Sequence, residues 1–149
     1  MTVLEPGPGM GHFTLELARL VGPSGRVIAV DVQPRMIGRL KRRAAKASLL
    51  DRVDVRVAPA ESMGIADLYN SVDFTLAFAV VHEFPEAGRF FAEVAAASKP
   101  GAAVLVAEPN GHVKAAAFDS ELQAAAAAGL RLVERPSVRH SHAALLKKS

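Results

Sequence analysis

Three glycines, Gly7, Gly9 and Gly11, alternate with other residues in the stretch "VLEPGPGMGH", which begins at Val3. Glycine has no Cβ atom, so a loop of this kind can turn tightly and bring its backbone close to a ligand. A helix is predicted to start near His12, and its free N–H groups and positive dipole end would point into the same space. Whether this stretch is a ligand-binding loop or only a turn must be judged from its position in the fold and from its neighbours.

The spacing of these glycines differs from two common phosphate-binding motifs. The dinucleotide fingerprint G-x-G-x-x-G would need a third glycine at position 12 or 14, where the chain has His12 and Thr14. The phosphate loop G-x-x-x-x-G-K-[ST] needs a Gly-Lys pair, which the sequence does not contain. A nicotinamide-dependent oxidoreductase is therefore disfavoured, although it stays open as an alternative.

Asp31 is the predicted partner of the glycine loop. It lies twenty residues beyond Gly11 and ends the apolar stretch "RVIAVD". A carboxylate at the end of the second strand can accept hydrogen bonds from both hydroxyls of a ribose. The alternative is that Asp31 caps a helix that begins near Pro34. Together, the loop and the acid favour a ligand that carries a nucleoside.

The composition limits the possible classes of protein. The 149 residues fit one domain, and the chain has no cysteine, so it can form no disulfide, thiolate zinc site or cysteine nucleophile. This is compatible with the reducing cytoplasm, which is the predicted location. Hydrophobic residues make up 50% of the chain, yet no apolar run reaches the ~18 residues that span a bilayer. The net charge of +3 is only weak support for a nucleic-acid partner.

The elements that must position these residues alternate between strand and helix. We predict five strands that alternate with helices, then an alanine-rich helix and finally a C-terminal hairpin. The predicted strands are residues 2–5, 26–31, 52–57, 72–78 and 102–108, with a final pair in "LRLVERPSV" and "HAALLKK"; the predicted helices are 12–21, one from Pro34, 85–98 and 120–128. This alternation indicates a parallel sheet covered on both faces, with ligands beyond the carboxyl ends of its strands.

Five ordered motifs resemble those of the class I S-adenosylmethionine-dependent methyltransferases, in the branch that includes ubiquinone and menaquinone biosynthesis enzymes. They are "VLEPGPGMG", "VIAVDVQPRMI", "RVAPAESM", "VDFTLAFAVVHEFPE" and "KPGAAVLVAEP". The resemblance implies one Rossmann-like domain over residues 1–149. Its expected fold is α/β, a doubly wound, three-layer α/β/α arrangement whose mostly parallel seven-stranded sheet ends in an antiparallel strand pair. It also implies S-adenosylmethionine as cofactor, with S-adenosylhomocysteine as the product.

The resemblance also implies roles for individual residues. Glu5 and the loop of Gly7, Gly9 and Gly11 would hold the methionine end of the cofactor. Asp31 would bind the ribose and Val32 would lie against the adenine, whose edge Ala60 and Glu61 would border. Phe78 and Ala79 would face the amino-acid moiety and the methyl group. Pro59 stands where many relatives have an acid for the adenine amino group; Glu61 either replaces that acid or begins a helix as a first-turn acid.

His82 is the candidate general base, because it follows the fourth strand, where the acceptor should lie. Glu83 would orient its ring; the alternative is a histidine that packs or caps the loop. The absence of cysteine excludes covalent attack on cytosine and thiolate binding of arsenite by this chain. No Asn/Asp-Pro-Pro-aromatic run typical of DNA amine methyltransferases occurs. A small-molecule acceptor is expected, and the alternative function is a non-catalytic, methyltransferase-like binding module.

Two further expectations concern partners. The family usually carries helices before the first strand that cover the cofactor, and here the strand begins at about Thr2. An open site, weak cofactor affinity and a homodimer are therefore expected. RNA is a possible but disfavoured partner, because the basic residues of the second helix are expected to form a solvated face and few aromatic residues are available for base stacking. These basic residues are Arg35, Arg39, Lys41, Arg42, Arg43 and Lys46.

Overall fold

A computed structural model describes residues 1–59 and 61–149, in which strands and helices alternate along the chain. The strands are β1 (Thr2–Pro6), β2 (Arg26–Asp31), β3 (Val53–Val57), β4 (Val72–Phe78), β5 (Ser98–Pro109), β6 (Leu130–Glu134) and β7 (Ser141–Lys148). The α-helices are α1 (His12–Val21), α2 (Pro34–Lys46), α3 (Ala87–Ala97) and α4 (Ala115–Ala127). Short 3₁₀ turns lie at Leu50–Arg52, Ala66–Leu68 and Val81–Glu83.

The strands form one sheet in the order β3-β2-β1-β4-β5-β7-β6. Strands β1 to β5 pair in parallel, and β7 pairs antiparallel with both β5 and β6. The order of the strands reverses beside β1, which pairs with β2 on one side and β4 on the other. The loops after β1 and β4 therefore meet at a topological switch point, the usual ligand site of such sheets.

Neighbouring residues of one strand enter opposite cores, because side chains of a strand alternate between the two faces of the sheet. Leu4 joins the core formed with α3 and α4, while Val3 joins the core under α1 and α2. The same alternation separates Ile28 from Val27 in β2. Burial on both faces is what a parallel sheet requires. The predicted three-layer fold is thus confirmed.

Several boundaries differ from those expected; for example, β6 ends at Glu134, within the predicted strand "LRLVERPSV". Helix α4 begins at Ala115, five residues before the predicted start, because three consecutive alanines favour a helix and Phe118 anchors the first turns in the core. Helix α3 begins at Ala87, two residues after Pro85. Residues 99–101, expected to be a turn, belong to β5, where the register with β4 shifts between Val72 and Phe74. In the described part of the chain, no helix has the length and apolar content to cross a bilayer.

Candidate functional site

The loop after β1 places its three glycines in the left-handed region, with φ of +65° at Gly7, +58° at Gly9 and +88° at Gly11. A Cβ atom on Gly7 would come within 2.5 Å of Val80, and one on Gly11 would overlap Leu40. A Cβ atom on Gly9 would meet nothing within 4 Å. Gly7 and Gly11 therefore have a packing reason to be glycine, whereas Gly9 borders open space where a ligand can lie.

Helix α1 begins directly behind this loop. Its N-cap is Gly11, no side chain caps it, and its first turn has no acidic residue. Since the first N–H groups of a helix have no partner inside the helix, this end offers donors and positive dipole potential to an anionic group. His12 is the exposed first residue of the helix.

Glu5 lies beneath the loop, where it is 3% exposed. Its carboxylate accepts a hydrogen bond from the Thr14 hydroxyl on α1. Burial raises the pKa of Glu5 to about 7, and the bond from Thr14 offsets part of this effect. Glu5 is therefore partly protonated near neutral pH, and a bound ammonium group close to it would favour the ionised form.

Asp31 ends β2 at the same edge of the sheet. Its Oδ1 accepts the Gln33 N–H at 3.0 Å, while Gln33 is the N-cap of α2, so Asp31 does not cap the helix itself. Asp31 and Gly7 line one pocket with Val32, which is 53% exposed. The remaining lining residues are Val30, Ala58, Val80, Glu83, Phe84 and Pro85. A carboxylate edge beside apolar walls fits a nucleoside.

The residues expected at the adenine edge are only partly described. Ala60 lies outside the described residues. Glu61 is exposed in a turn and begins no helix, since the next helical turn is Ala66–Leu68. It lines an adjoining depression of about 290 Å³ that shares Phe84 and Pro85 with the pocket beside Asp31. The role of Glu61 towards adenine stays a prediction.

Phe78 and Ala79 lie at the end of β4, on the other side of the switch point. The Phe78 ring packs at 5.0 Å from that of Phe13 on α1. Ala79 has φ of +57°, which is unfavourable for a residue with a Cβ atom, and its N–H donates to the Ala107 carbonyl at 2.7 Å. Such strain often accompanies functional sites, and no sequence signal marks it at an alanine.

His82 lies in the 3₁₀ turn that follows. Its Nδ1 atom is 3.0 Å from Oε1 and 3.1 Å from Oε2 of Glu108, and its backbone N–H donates to Oε2 at 3.1 Å. Glu108 is fully buried at the end of β5. The expectation that Glu83 orients the ring was wrong, because Glu83 is exposed and lines the pocket beside Asp31. When Glu108 accepts a hydrogen bond from this ring nitrogen, the ring proton is on Nδ1 and Nε2 is the acceptor.

A second buried acid, Glu121 on α4, contacts Glu108. The pKa of Glu121 is raised to about 8, mainly by its burial and to a smaller extent by the neighbouring Glu108. Sequence reasoning missed both acids. For Glu108 the signal was its position at the carboxyl end of a buried strand. The signal for Glu121 was weaker: it is a charged residue next to Leu122 on the inner side of an alanine-rich helix.

Within residues 1–59 and 61–149, no three His, Asp or Glu side chains are arranged to hold a metal ion. Helix α2 buries Ile37, Leu40 and Ala44, while its basic residues form no ion pair with another described residue. This arrangement agrees with a solvated face, and contact with RNA stays a prediction.

Comparisons with known proteins agree with this geometry. Residues 1–140 match the family model described as "Methyltransferase domain". A solved S-adenosylmethionine-dependent methyltransferase from Aquifex aeolicus superposes with a TM-score of 0.87 at 24% identity, covering 100% of this chain and 82% of that one. The geranyl diphosphate C-methyltransferase of Streptomyces coelicolor, solved with S-adenosyl-L-homocysteine, gives a TM-score of 0.81 at 14% identity and covers 99% and 69%. The fold is thus that of the Rossmann-like methyltransferases.

The chain belongs to the methyltransferase-domain family, as its motifs predicted. The arsenite methyltransferase of Halobacterium salinarum is 32% identical over 122 residues, which are 82% of this chain and 30% of that protein. The ubiquinone/menaquinone biosynthesis C-methyltransferase of Pasteurella multocida is 28% identical over 106 residues, 71% of this chain and 39% of that protein. This chain therefore spans less than half of these two relatives. The predicted cofactor, S-adenosylmethionine, is confirmed by the family.

Proposed function

We propose that this chain binds S-adenosylmethionine where the loops after β1 and β4 meet and transfers its methyl group to a small-molecule acceptor. The observation that carries the proposal is the contact between His82 and Glu108, directly across the switch point from Asp31 and the glycine loop. This contact and the pocket beside Asp31 lie at the same edge of the sheet, which supports a proton acceptor close to a bound nucleoside.

The cofactor-binding half is proposed from residues that fit each part of the ligand. Glu5, Gly7, Gly9 and Gly11 would hold the methionine end, where the uncapped start of α1 offers N–H donors to its carboxylate. Asp31 would bind the ribose hydroxyls and Val32 would cover the adenine, with Ala60 and Glu61 at its edge. Phe78 and Ala79 would lie beside the sulfonium. When bound, the cofactor supplies an electrophilic methyl group on a good leaving group.

His82 performs the one proton transfer that the reaction requires. Its Nε2 atom takes the proton from a weakly acidic O–H or N–H group of the acceptor as that atom bonds to the methyl carbon and the bond from carbon to sulfur breaks. Glu108 fixes the tautomer and stabilises the imidazolium that forms. The remaining task of the site is to align the acceptor with the methyl group and exclude water.

The acceptor class follows from this chemistry. A base is useful for acceptors that are protonated and weakly acidic, such as phenols, quinols or amides. Arsenite, on which the Halobacterium relative is named to act, fits these 149 residues poorly because they contain no thiolate. We propose an organic small molecule.

The test is transfer of labelled methyl groups to a panel of phenols, quinols and amides by the wild-type protein and the His82→Ala variant. We expect His82→Ala to lower turnover by about 10²- to 10⁴-fold, the usual contribution of a general base, and to leave cofactor affinity unchanged. His140→Ala, an exposed histidine in the connection between β6 and β7, is the matched control. A protein that binds the cofactor but methylates no acceptor would support the non-catalytic module instead, and undiminished turnover by His82→Ala would refute the base.

The open site and the homodimer belong to the same proposal. Helix α1 leaves Phe13 and Leu20 exposed, at 45% and 82%, and Phe13 contacts Phe78 at the site. Apolar groups exposed beside a site favour association with a second copy. Light scattering of the wild-type protein and of Leu20→Lys tests this, and a wild-type monomer would refute it. The cytoplasmic location stays a prediction.

A further inference from the structure

Three polar side chains from three separate elements form one cluster at this edge of the sheet, in which the two acids are buried and His82 is partly exposed. His82 follows β4, Glu108 ends β5, and Glu121 lies in the second turn of α4. Glu108 is fully buried and Glu121 is 8% exposed. Oε1 of Glu121 has no hydrogen-bond partner among the described residues, although it is buried. The function proposed above uses the first two residues and gives no reason for the third.

Two carboxyl groups in contact inside a core cannot both ionise, because like charges and desolvation each disfavour the second negative charge. Glu108 already accepts the backbone N–H of His82 and lies within 3.0 Å of its ring Nδ1, so Glu108 is the hydrogen-bond acceptor of the pair. Burial and the negative Glu108 raise the pKa of Glu121 to about 8. Glu121 therefore keeps a proton at neutral pH and is available as a donor.

We infer that Glu121 is a positioning residue for His82: its carboxyl O–H donates to Glu108, which is thereby held as the acceptor of the His82 Nδ1–H. The proton then stays on Nδ1, and Nε2 remains free for the methyl acceptor. The inference rests on the proposed role of His82, but its structural consequence exists in the free protein. Glu121 touches neither the reacting atoms nor the cofactor pocket.

Few other titratable groups face this cluster. His142 on β7 lies opposite Glu108 in the strand register, and its ring stacks on Phe118 of α4 at a centroid distance of 5.5 Å. On α4 itself, Asp119 is exposed and pairs with Arg135. The side of α3 that packs in the core contributes aromatic and aliphatic residues. Glu121 is therefore the acid in place to supply a proton to Glu108.

Removal of that donor has a specific consequence. With one hydrogen bond fewer, the buried Glu108 carboxylate is less stable and takes up a proton itself. A protonated Glu108 donates to Nδ1 of His82, which moves the ring proton to Nε2. The ring then no longer presents an acceptor to the substrate.

The experiment is ¹⁵N NMR of the His82 ring at neutral pH in the free protein, with His82→Gln used for assignment. We expect the Nδ1–H tautomer to dominate in the wild type and in Glu121→Gln, whose amide N–H still donates to Glu108. In Glu121→Leu we expect the Nε2–H tautomer to become the major form. Gln123→Leu places the same side chain at an exposed position of α4 and should leave the wild-type tautomer. An unchanged His82 tautomer in Glu121→Leu overturns the inference.

A second measurement covers the case in which Glu121→Leu does not fold. ¹³C NMR of the side-chain carboxyl groups follows the ionisation of Glu121 in the wild type, and we expect a carboxyl that is protonated at pH 7 and ionises near pH 8. A Glu121 carboxyl that is ionised at pH 6 overturns the inference. Neither measurement uses cofactor or acceptor, so its failure is distinguishable from a failure of the proposed methyl transfer.

Discussion

The two sides of the switch point are built in different ways. On the β1–β2 side the proposed ligand would contact the backbone of the glycine loop, the uncapped start of α1 and the Asp31 carboxylate, all of which lie between Glu5 and Asp31. On the β4–β5 side the proposed functional groups are His82, Glu108 and Glu121. His82 and Glu108 are 26 residues apart in sequence, and Glu121 lies 13 residues after Glu108. One side is a local loop, and the other exists only after the sheet and α4 have assembled.

This difference predicts how each side fails. A backbone loop at positive φ tolerates no added side chain where a ligand must approach, so substitution there removes binding outright. A buried network of acids instead changes gradually with its protonation state. We therefore expect steric losses on the β1–β2 side and pH-dependent losses on the β4–β5 side.

The largest effect is expected at Gly9. Gly9→Val adds a branched side chain that projects into the space reserved for the ligand, and it should reduce S-adenosylhomocysteine binding below detection in calorimetry. Strain alone cannot explain such a loss if Gly101→Val, also at positive φ and with open space around its Cβ position, binds normally. Both variants should lose about 1–2 kcal/mol of stability from the left-handed backbone. Wild-type affinity in Gly9→Val would show that the loop is only a turn.

Asp31 should show the next largest effect. Asp31→Ala removes charge-assisted hydrogen bonds to the ribose, and we expect a loss of about 1–3 kcal/mol of cofactor binding free energy. Asp31→Asn keeps an acceptor for the Gln33 N–H and so separates the turn from the charge. Comparable weakening in both variants is expected by calorimetry. If Asp31→Asn binds like the wild type, the charge has no role and the ribose assignment fails.

The acids on the two sides should give stability an unusual pH dependence. Glu121 and Glu5 have pKa values raised to about 8 and about 7, so the folded state binds more protons than the unfolded state above about pH 4.5. Stability should therefore fall as the pH rises from about 4.5 to 8. Glu121→Gln should remove the larger part of this fall, and Glu5→Gln should remove its own smaller part, which ends above pH 7.

Denaturant unfolding of the wild type and the two variants between pH 5 and 9 measures these slopes. Glu134→Gln, an exposed acid on β6, serves as the control that should not alter them. The same slope in wild type and Glu121→Gln would mean that Glu121 is not a buried, protonated acid.

The smallest effect is expected at Ala79. Ala79→Gly relieves the positive φ but adds entropy to the unfolded chain, and the two terms leave a net gain of about 0.5 kcal/mol. Ser48→Gly, at φ of +60° far from the switch point, should behave alike. Thermal unfolding measures both variants. Destabilisation by Ala79→Gly would mean that its side chain makes contacts worth more than the strain.

The two sides also differ in how far the sequence predicted them. The strand–helix alternation predicted the fold, and the spacing from Gly11 to Asp31 led to the proposed cofactor loop, because glycines, an acid and apolar runs lie within one βαβ unit. The bounds of α1, β2 and β4 were predicted to the residue. The early start of α4 was missed because Lys114 is a weak helix-start signal and the buried Phe118 determines the boundary through tertiary packing.

The network around His82 could not be predicted in the same way. Glu83 is its neighbour in sequence and was chosen for that reason, but β4 and β5 pair in parallel, so their carboxyl ends bring Glu108 to His82. The role of Glu121 depends on where α4 packs, which no local pattern encodes. Ala79 has no sequence signal at all; its positive φ accompanies a hydrogen bond from its N–H to the Ala107 carbonyl on the neighbouring strand.

The central claim is that the β1–β2 side holds S-adenosylmethionine. Isothermal titration calorimetry of the wild-type protein with S-adenosylmethionine, S-adenosylhomocysteine and NAD tests it most directly. We predict one-to-one binding of both adenosyl compounds, weakened by Asp31→Ala and abolished by Gly9→Val, and no heat from NAD. Binding of NAD without binding of S-adenosylhomocysteine, or adenosyl binding that neither substitution changes, would contradict the account.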